Sequence, residues 1–107
     1  LNFGHTIGHA IEALSDFTIS HGKAVGIGMI AEMQLADAEG VDRMKHLLEE
    51  IDMPTVIPVE YKPQTLLRAM QNDKKVINRG IRIAVPRELG KGEVIALEEE
   101  KFLRTYS

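Results

Sequence analysis

The sequence predicts a mainly α-helical domain with a short β-hairpin near residues 81–98, and three observations predict it. Apolar residues recur at helical spacing through most of the first 75 residues. Beyond them the period changes to alternation on either side of a turn-rich RELGKG. A length of 107 residues suffices for one hydrophobic core but not for a second domain of ordinary size, so residues 1–107 read as a single helical domain.

In residues 3–14, Phe3, Ile7, Ala10, Ile11 and Leu14 share one stripe while His5, His9 and Glu12 fall on its neighbour, which predicts a helix with a core face and a chemical face. Residues 15–20 connect it to HGKAVGIGMIAEMQLADAEG, residues 21–40, a long helix that is apolar through its first half and stops at Gly40. Glycine costs a helix about 1 kcal/mol relative to alanine. Gly22, Gly26 and Gly28 therefore predict close backbone packing against another element. Residues 41–52 form a third helix with Met44, Leu47, Leu48 and Ile51 inside, ended by Pro54. The three prolines of residues 54–63 mark a loop, and residues 64–75 a fourth helix with Leu66, Leu67 and Met70 inside. IRIAVP and GEVIAL supply the hairpin strands; a lone hairpin is marginal in water, so this one packs on the helices or pairs with another sheet edge. Residues 98–107 read as a short charged helix or a tail.

Composition excludes several partners. A formal charge of −3 leaves no footprint for nucleic acid or an anionic membrane. The longest run of small and apolar residues, 24–31, is closed by Glu32 and falls far below the roughly 20 residues of a membrane span. Without cysteine there are no disulfides, thiolate metal sites or cysteine nucleophiles, which fits a reducing compartment. A chain that starts at Leu1, already inside a motif, reads as a fragment of something longer.

The chemistry concentrates in the first 22 residues. His5 and His9, four apart, stack on one helix face, and imidazole is the commonest ligand of catalytic divalent metals. The glutamate that follows the first histidine in metalloprotease helices is missing, so a peptidase has no general base. Catalytic zinc usually takes three protein ligands, and the third comes from His21, from Glu12 or from another segment, with His21 the best local candidate. A single histidine often only caps a helix or fills a polar pocket. Three within 17 residues, flanked by Asn2 and several glycines, argue for a functional cluster. His46 lies in a charged helix and reads as surface; Lys74 and Lys75 alone would read as a charge cluster at a helix end.

The string LNFGHTIGHAIE, followed by HGKAVGIGM, resembles the metal-binding segment of the 3-dehydroquinate synthase family, and NDKKVINRGIRIAVPRELGKGEV resembles the family's carboxy-terminal segment. The resemblance covers nearly the whole chain. It implies the helical carboxy-terminal domain of that fold, with the α/β nucleotide-binding domain absent from these residues. Position by position, it implies His5 and His21 as metal ligands, with a third, a glutamate, upstream of this chain. His9 becomes a catalytic histidine at the substrate, and Asn2, His9 and one of Lys74 and Lys75 bind substrate near its phosphate. The implied cofactors are a divalent metal, zinc or cobalt, and NAD held mainly by the absent domain.

The implied reaction converts 3-deoxy-D-arabino-heptulosonate 7-phosphate to 3-dehydroquinate and phosphate: transient oxidation of the C5 hydroxyl, phosphate elimination, hydride return, and ring closure by an aldol step. The resemblance further implies a cytoplasmic homodimer, and a fragment that is inactive by itself. One position departs from the family pattern: Lys23 stands where the family carries glutamate, within two residues of His21, and is expected to point outward. Alternative readings are another sugar-phosphate cyclase, a metal-dependent alcohol dehydrogenase of the glycerol dehydrogenase type, or a helical module without activity. Asn2 and the DKK segment suit a phosphorylated substrate and weigh against the dehydrogenase.

Overall fold

The first helix opens without a side-chain cap of its own. In a computed structural model of the chain, which describes residues 3–71, 81–88 and 91–106, α1 spans His5–Leu14 and its N-cap is Gly4, at φ +80°. A positive φ suits glycine, but glycine brings no oxygen to the free N–H groups of the first turn. Those groups are met from α2 (His21–Leu35): Glu32 accepts the Gly4 N–H at 3.1 Å through Oε1 and the Ile7 N–H at 3.2 Å through Oε2. A capping box satisfies the same two positions, N-cap and N3, with two side chains. Here one carboxylate from another helix does both.

The α1–α2 contact is made backbone to backbone, as the glycines of the second helix predict. A Cβ on Gly28 would sit 2.2 Å from the Gly4 carbonyl oxygen and 2.8 Å from the Gly8 nitrogen. Of the other two glycines used in that expectation, Gly26 has ordinary clearance to Met53 and Gly22 faces open space, so within α2 the close approach rests on Gly28; Gly8 of α1 adds to it, a Cβ there lying 3.2 Å from the Ala24 carbonyl oxygen. Ser20 N-caps α2, its hydroxyl accepting the Lys23 N–H at 3.4 Å.

Helix α2 stops at Leu35, short of the Gly40 the sequence suggests, and Gly40 is instead the N-cap of α3 (Val41–Glu50). The stop is Asp37 at φ +52°, whose N–H returns to the Gln34 carbonyl while that of Ala38 reaches Met33. The same pair of bonds ends α1 through Asp16 and Phe17, and α3 through Asp52 and Met53. Each is a Schellman turn with aspartate in the left-handed position where glycine is usual, which aspartate tolerates better than most residues. Lys101 seals the end of α2, donating to the Leu35 carbonyl and to Asp37, both at 2.6 Å.

The third helix sits further out than its apolar pattern indicates. No residue of α3 is fully buried; Val41 and Met44 lean on the core, while Leu47 and Ile51 are exposed. Helix α4 (Pro63–Gln71) buries Leu66, Leu67 and Met70 as expected; the expected continuation to residue 75 lies outside the described residues. The hairpin pairs β1 (Arg82–Glu88) antiparallel with β2 (Lys91–Ala96) in the register Ile83 with Ile95, irregular between Pro86 and Glu88. It packs on the helices: Ile81, Ile83 and Val85 join the core with Ile7, Ile11, Ile27 and Leu66, and Thr6 donates to the Arg82 carbonyl at 2.8 Å.

The final stretch is a helix, α5 (Glu99–Tyr106). Phe102 is fully buried, and the Tyr106 hydroxyl donates within hydrogen-bond distance of Gln34 Oε1, 2.8 Å, beside the Ala31 carbonyl. Burial pushes the Tyr106 phenol above its usual range. No helix among the described residues is long and apolar enough to cross a membrane.

Candidate metal and substrate site

Side chains from α1 and α2 meet at this site. His5 is the first residue of α1 and His21 the first of α2, while His9 lies one turn along α1 from His5. The three imidazoles face one another, with ring centroids 5.2 Å apart for His5 and His9, 5.3 Å for His5 and His21, and 6.1 Å for His9 and His21. The backbone contact at Gly28 brings the two helices to this spacing.

The ring nitrogens are not equivalent. His5 Nδ1 is 3.0 Å from the Phe3 carbonyl oxygen, and His21 Nδ1 is 2.6 Å from Glu12 Oε1. Both partners are acceptors, so Nδ1 carries a proton in each ring and Nε2 of the neutral ring keeps its lone pair for a metal. Metal-binding histidines are commonly oriented in this way, the second nitrogen donating to a carbonyl or carboxylate. The ring of exposed His9 has no such oxygen partner among the described residues.

A second grouping is also present. His9, Glu12 and His21 each offer a ligand atom within 4.8 Å of the others, a constellation that brings in Glu12 and leaves out His5. The donor chemistry of either set, imidazole with or without carboxylate, suits a divalent ion such as zinc or cobalt. Glu12 has 12% of its side chain exposed and His21 59%, so the cluster opens to solvent on the α2 side. Lys23 is exposed, as the outward expectation has it. Asn2, Lys74 and Lys75, the remaining expected substrate contacts, lie outside the described residues. His46 is on the surface, 73% exposed and 3.0 Å from Glu50 one turn along α3.

Glu32 is a further residue of the site that helical spacing does not mark, although a single acid closing an apolar run is a visible signal. It is completely buried, and that burial raises its carboxyl to about 7 against the downward pull of the Ile7 and Gly4 N–H groups. It holds the turn that begins with His5.

This fold is shared with part of an enzyme of known structure. The chain superposes with a TM-score of 0.79 on a crystal structure of 2-deoxy-scyllo-inosose synthase complexed with carbaglucose-6-phosphate, NAD+ and Co2+, at 23% identity over 97% of this chain and 32% of that one. More particularly, the chain belongs to the 3-dehydroquinate synthase family, whose carboxy-terminal family model matches residues 1–76. Similar relatives are the 3-dehydroquinate synthases of Pyrococcus furiosus, 40% identical over 97% of this chain and 31% of that protein, and of Nostoc sp., 39% identical over 84% of this chain and 27% of that protein. That of Xylella fastidiosa is 37% identical over 97% of this chain and 31% of that protein. The chain thus spans about a third of the length of the relatives it matches.

Proposed function

We propose that this chain is the metal- and substrate-binding part of a 3-dehydroquinate synthase, a lyase of aromatic amino-acid biosynthesis, and that these 107 residues are inactive by themselves. The observation that carries the reading is the convergence of His5, His9 and His21 from two helices, in a chain of that family. His5 and His21 hold the metal through Nε2, with a third ligand supplied from outside the chain; the anchored Nδ1 atoms of these two rings support that division. Bound there, zinc or cobalt supplies Lewis acidity toward an alcohol or ketone oxygen.

Among the described residues, His9 is the imidazole of the three without an oxygen partner. Its exposed ring reaches the substrate and gives or takes a proton there. Asn2 donates a hydrogen bond to the substrate phosphate and one of Lys74 and Lys75 neutralises it, which orients the leaving group and lowers the cost of its departure. NAD is held by residues outside this chain. The reading also carries a cytoplasmic homodimer.

A cyclase acting on another sugar phosphate is the second reading, favoured by the fold shared with 2-deoxy-scyllo-inosose synthase. Identities of 37–40% with the dehydroquinate synthases against 23% with that enzyme favour the first. The test is made on the full-length protein that contains this chain. NAD- and metal-dependent phosphate release from 3-deoxy-D-arabino-heptulosonate 7-phosphate, without net NADH, is expected. No release from that substrate overturns the assignment, and NADH accumulating with an unphosphorylated polyol would make the protein a dehydrogenase.

A further inference from the structure

We infer that Glu12 is a positioning residue for His21: it fixes the ring in the tautomer that presents Nε2 to the metal, and is not itself a ligand. The inference rests on the proposed function only in taking His21 to be a metal ligand. Its first ground is distance. Glu12 Oε1 and His21 Nδ1 are 2.6 Å apart. Two ligand atoms on one tetrahedral ion, each about 2.0–2.1 Å from it, lie about 3.3 Å from each other. The observed contact is too short for Oε1 and Nδ1 to share one ion and matches a charge-assisted hydrogen bond, in which Nδ1–H donates to the carboxylate.

The second ground is the placement of the carboxylate. Glu12 lies in the last turn of α1, and its carboxylate reaches the side chain of the first residue of α2. Its backbone is fixed as well: the Glu12 carbonyl accepts the Phe17 N–H at 2.9 Å and the Ser15 hydroxyl at 2.9 Å, so the Schellman turn that ends α1 also sets the carboxylate's origin. With 12% of its side chain exposed, Glu12 is far less hydrated than the imidazole it orients, at 59%. The carboxylate gives up some hydration and gains a fixed partner. The imidazole keeps an open edge.

The third ground is the parallel with His5. Its Nδ1 donates to the Phe3 carbonyl, so both rings assigned to the metal have the same nitrogen anchored, one by a backbone oxygen and one by a carboxylate. A carboxylate acceptor also polarises the ring it anchors more than a carbonyl does, which strengthens the nitrogen left for the metal.

The test reads the tautomer directly. Nitrogen-15 NMR of the histidine side chains in the metal-free full-length protein, at a pH where imidazole is neutral, is expected to show His21 protonated on Nδ1. Glu12→Ala returns it to the Nε2-protonated form usual in water, while Glu12→Gln, whose amide oxygen still accepts, keeps it on Nδ1. In the full-length protein, zinc affinity measured with a competing chelator falls 10–100-fold in Glu12→Ala and by less in Glu12→Gln. Finding Nε2 protonated in the wild type, or an unchanged tautomer in Glu12→Ala, overturns the inference. So does a loss in Glu12→Gln as large as that in His21→Ala, since that outcome makes Glu12 a direct ligand. Should Glu12→Ala not fold, the comparison of Glu12→Gln with His21→Ala decides alone. A protein that passes these tests yet releases no phosphate from the heptulosonate phosphate refutes the synthase assignment and leaves the role of Glu12 standing.

Discussion

Replacing Glu32 by glutamine is expected to change the way the stability of this chain depends on pH, and the size of the change follows from the burial of the carboxyl. Glu32 is fully buried, and its pKa stands at about 7 in the fold against 4.5 when unperturbed. Between those values the folded chain keeps a proton that the unfolded chain has released, so stability falls as pH rises through about 7. At about 1.4 kcal/mol per tenfold change in the ionisation constant, the loss from pH 4.5 to pH 8 is about 3 kcal/mol. Glutamine cannot ionise, so that component vanishes. It also keeps only one acceptor for the two N–H groups of Gly4 and Ile7 and turns its NH2 on the other, which costs about 1–3 kcal/mol at every pH. The variant is therefore the less stable of the two at pH 5, and the gap closes or reverses at pH 8. Urea unfolding followed by circular dichroism at both pH values measures this, provided the slopes against urea agree. Parallel pH profiles for the two proteins would refute the account of Glu32 as a buried, reluctantly ionised cap.

Further expectations concern the helix contact, the helix ends and the ligands. Gly28→Ala forces a methyl group to 2.2 Å from the Gly4 carbonyl oxygen and is expected to destabilise the chain by about 3 kcal/mol or prevent folding, whereas Gly22→Ala, facing open space, stabilises by about 0.5–1 kcal/mol; thermal unfolding compares them. Asp52→Gly, in an exposed left-handed position, raises stability by about 0.5–1 kcal/mol in the same measurement. In the full-length protein, His5→Ala loses the metal on dialysis, while His9→Ala retains it and loses most turnover; equal metal loss in both would overturn the division of roles. Calorimetry of this chain alone shows weak zinc binding, and tight one-to-one binding would mean that no outside ligand is needed.

The histidine cluster was legible because a four-residue spacing carries its own geometry: His5 and His9 had to share a face of α1, and His21 had only to begin the next helix. The strands and their pairing as a hairpin were legible for a similar reason, since alternation needs no tertiary context. What depends on distant partners was not. Leu47 and Ile51 follow the helical period yet remain exposed, because periodicity says which residues share a face and not whether anything covers it. The end of α2 was misplaced because an aspartate in the left-handed position leaves no trace in composition, while Gly40 advertises a stop and serves as a start. Glu32 was read only as the end of an apolar run; its partners are 25 and 28 residues away, and nothing local announces them. Spacing alone would have grouped His5 with His9, and the hydrogen bonds at Nδ1 distinguish them where sequence separation cannot.

The contact at Gly28 sets how the site tolerates change over evolutionary time. The separation of α1 and α2 is set chiefly where main chain meets main chain, at Gly28 against Gly4 and Gly8, and only secondarily by the volumes of the core side chains. Isoleucines, leucines and methionines around Ile7, Ile27 and Leu66 can drift, provided they fill the same space, without moving His21 relative to His5. Divergent relatives can then share little of their interior and still present the same three rings, whereas one added methyl group at a single glycine would part them.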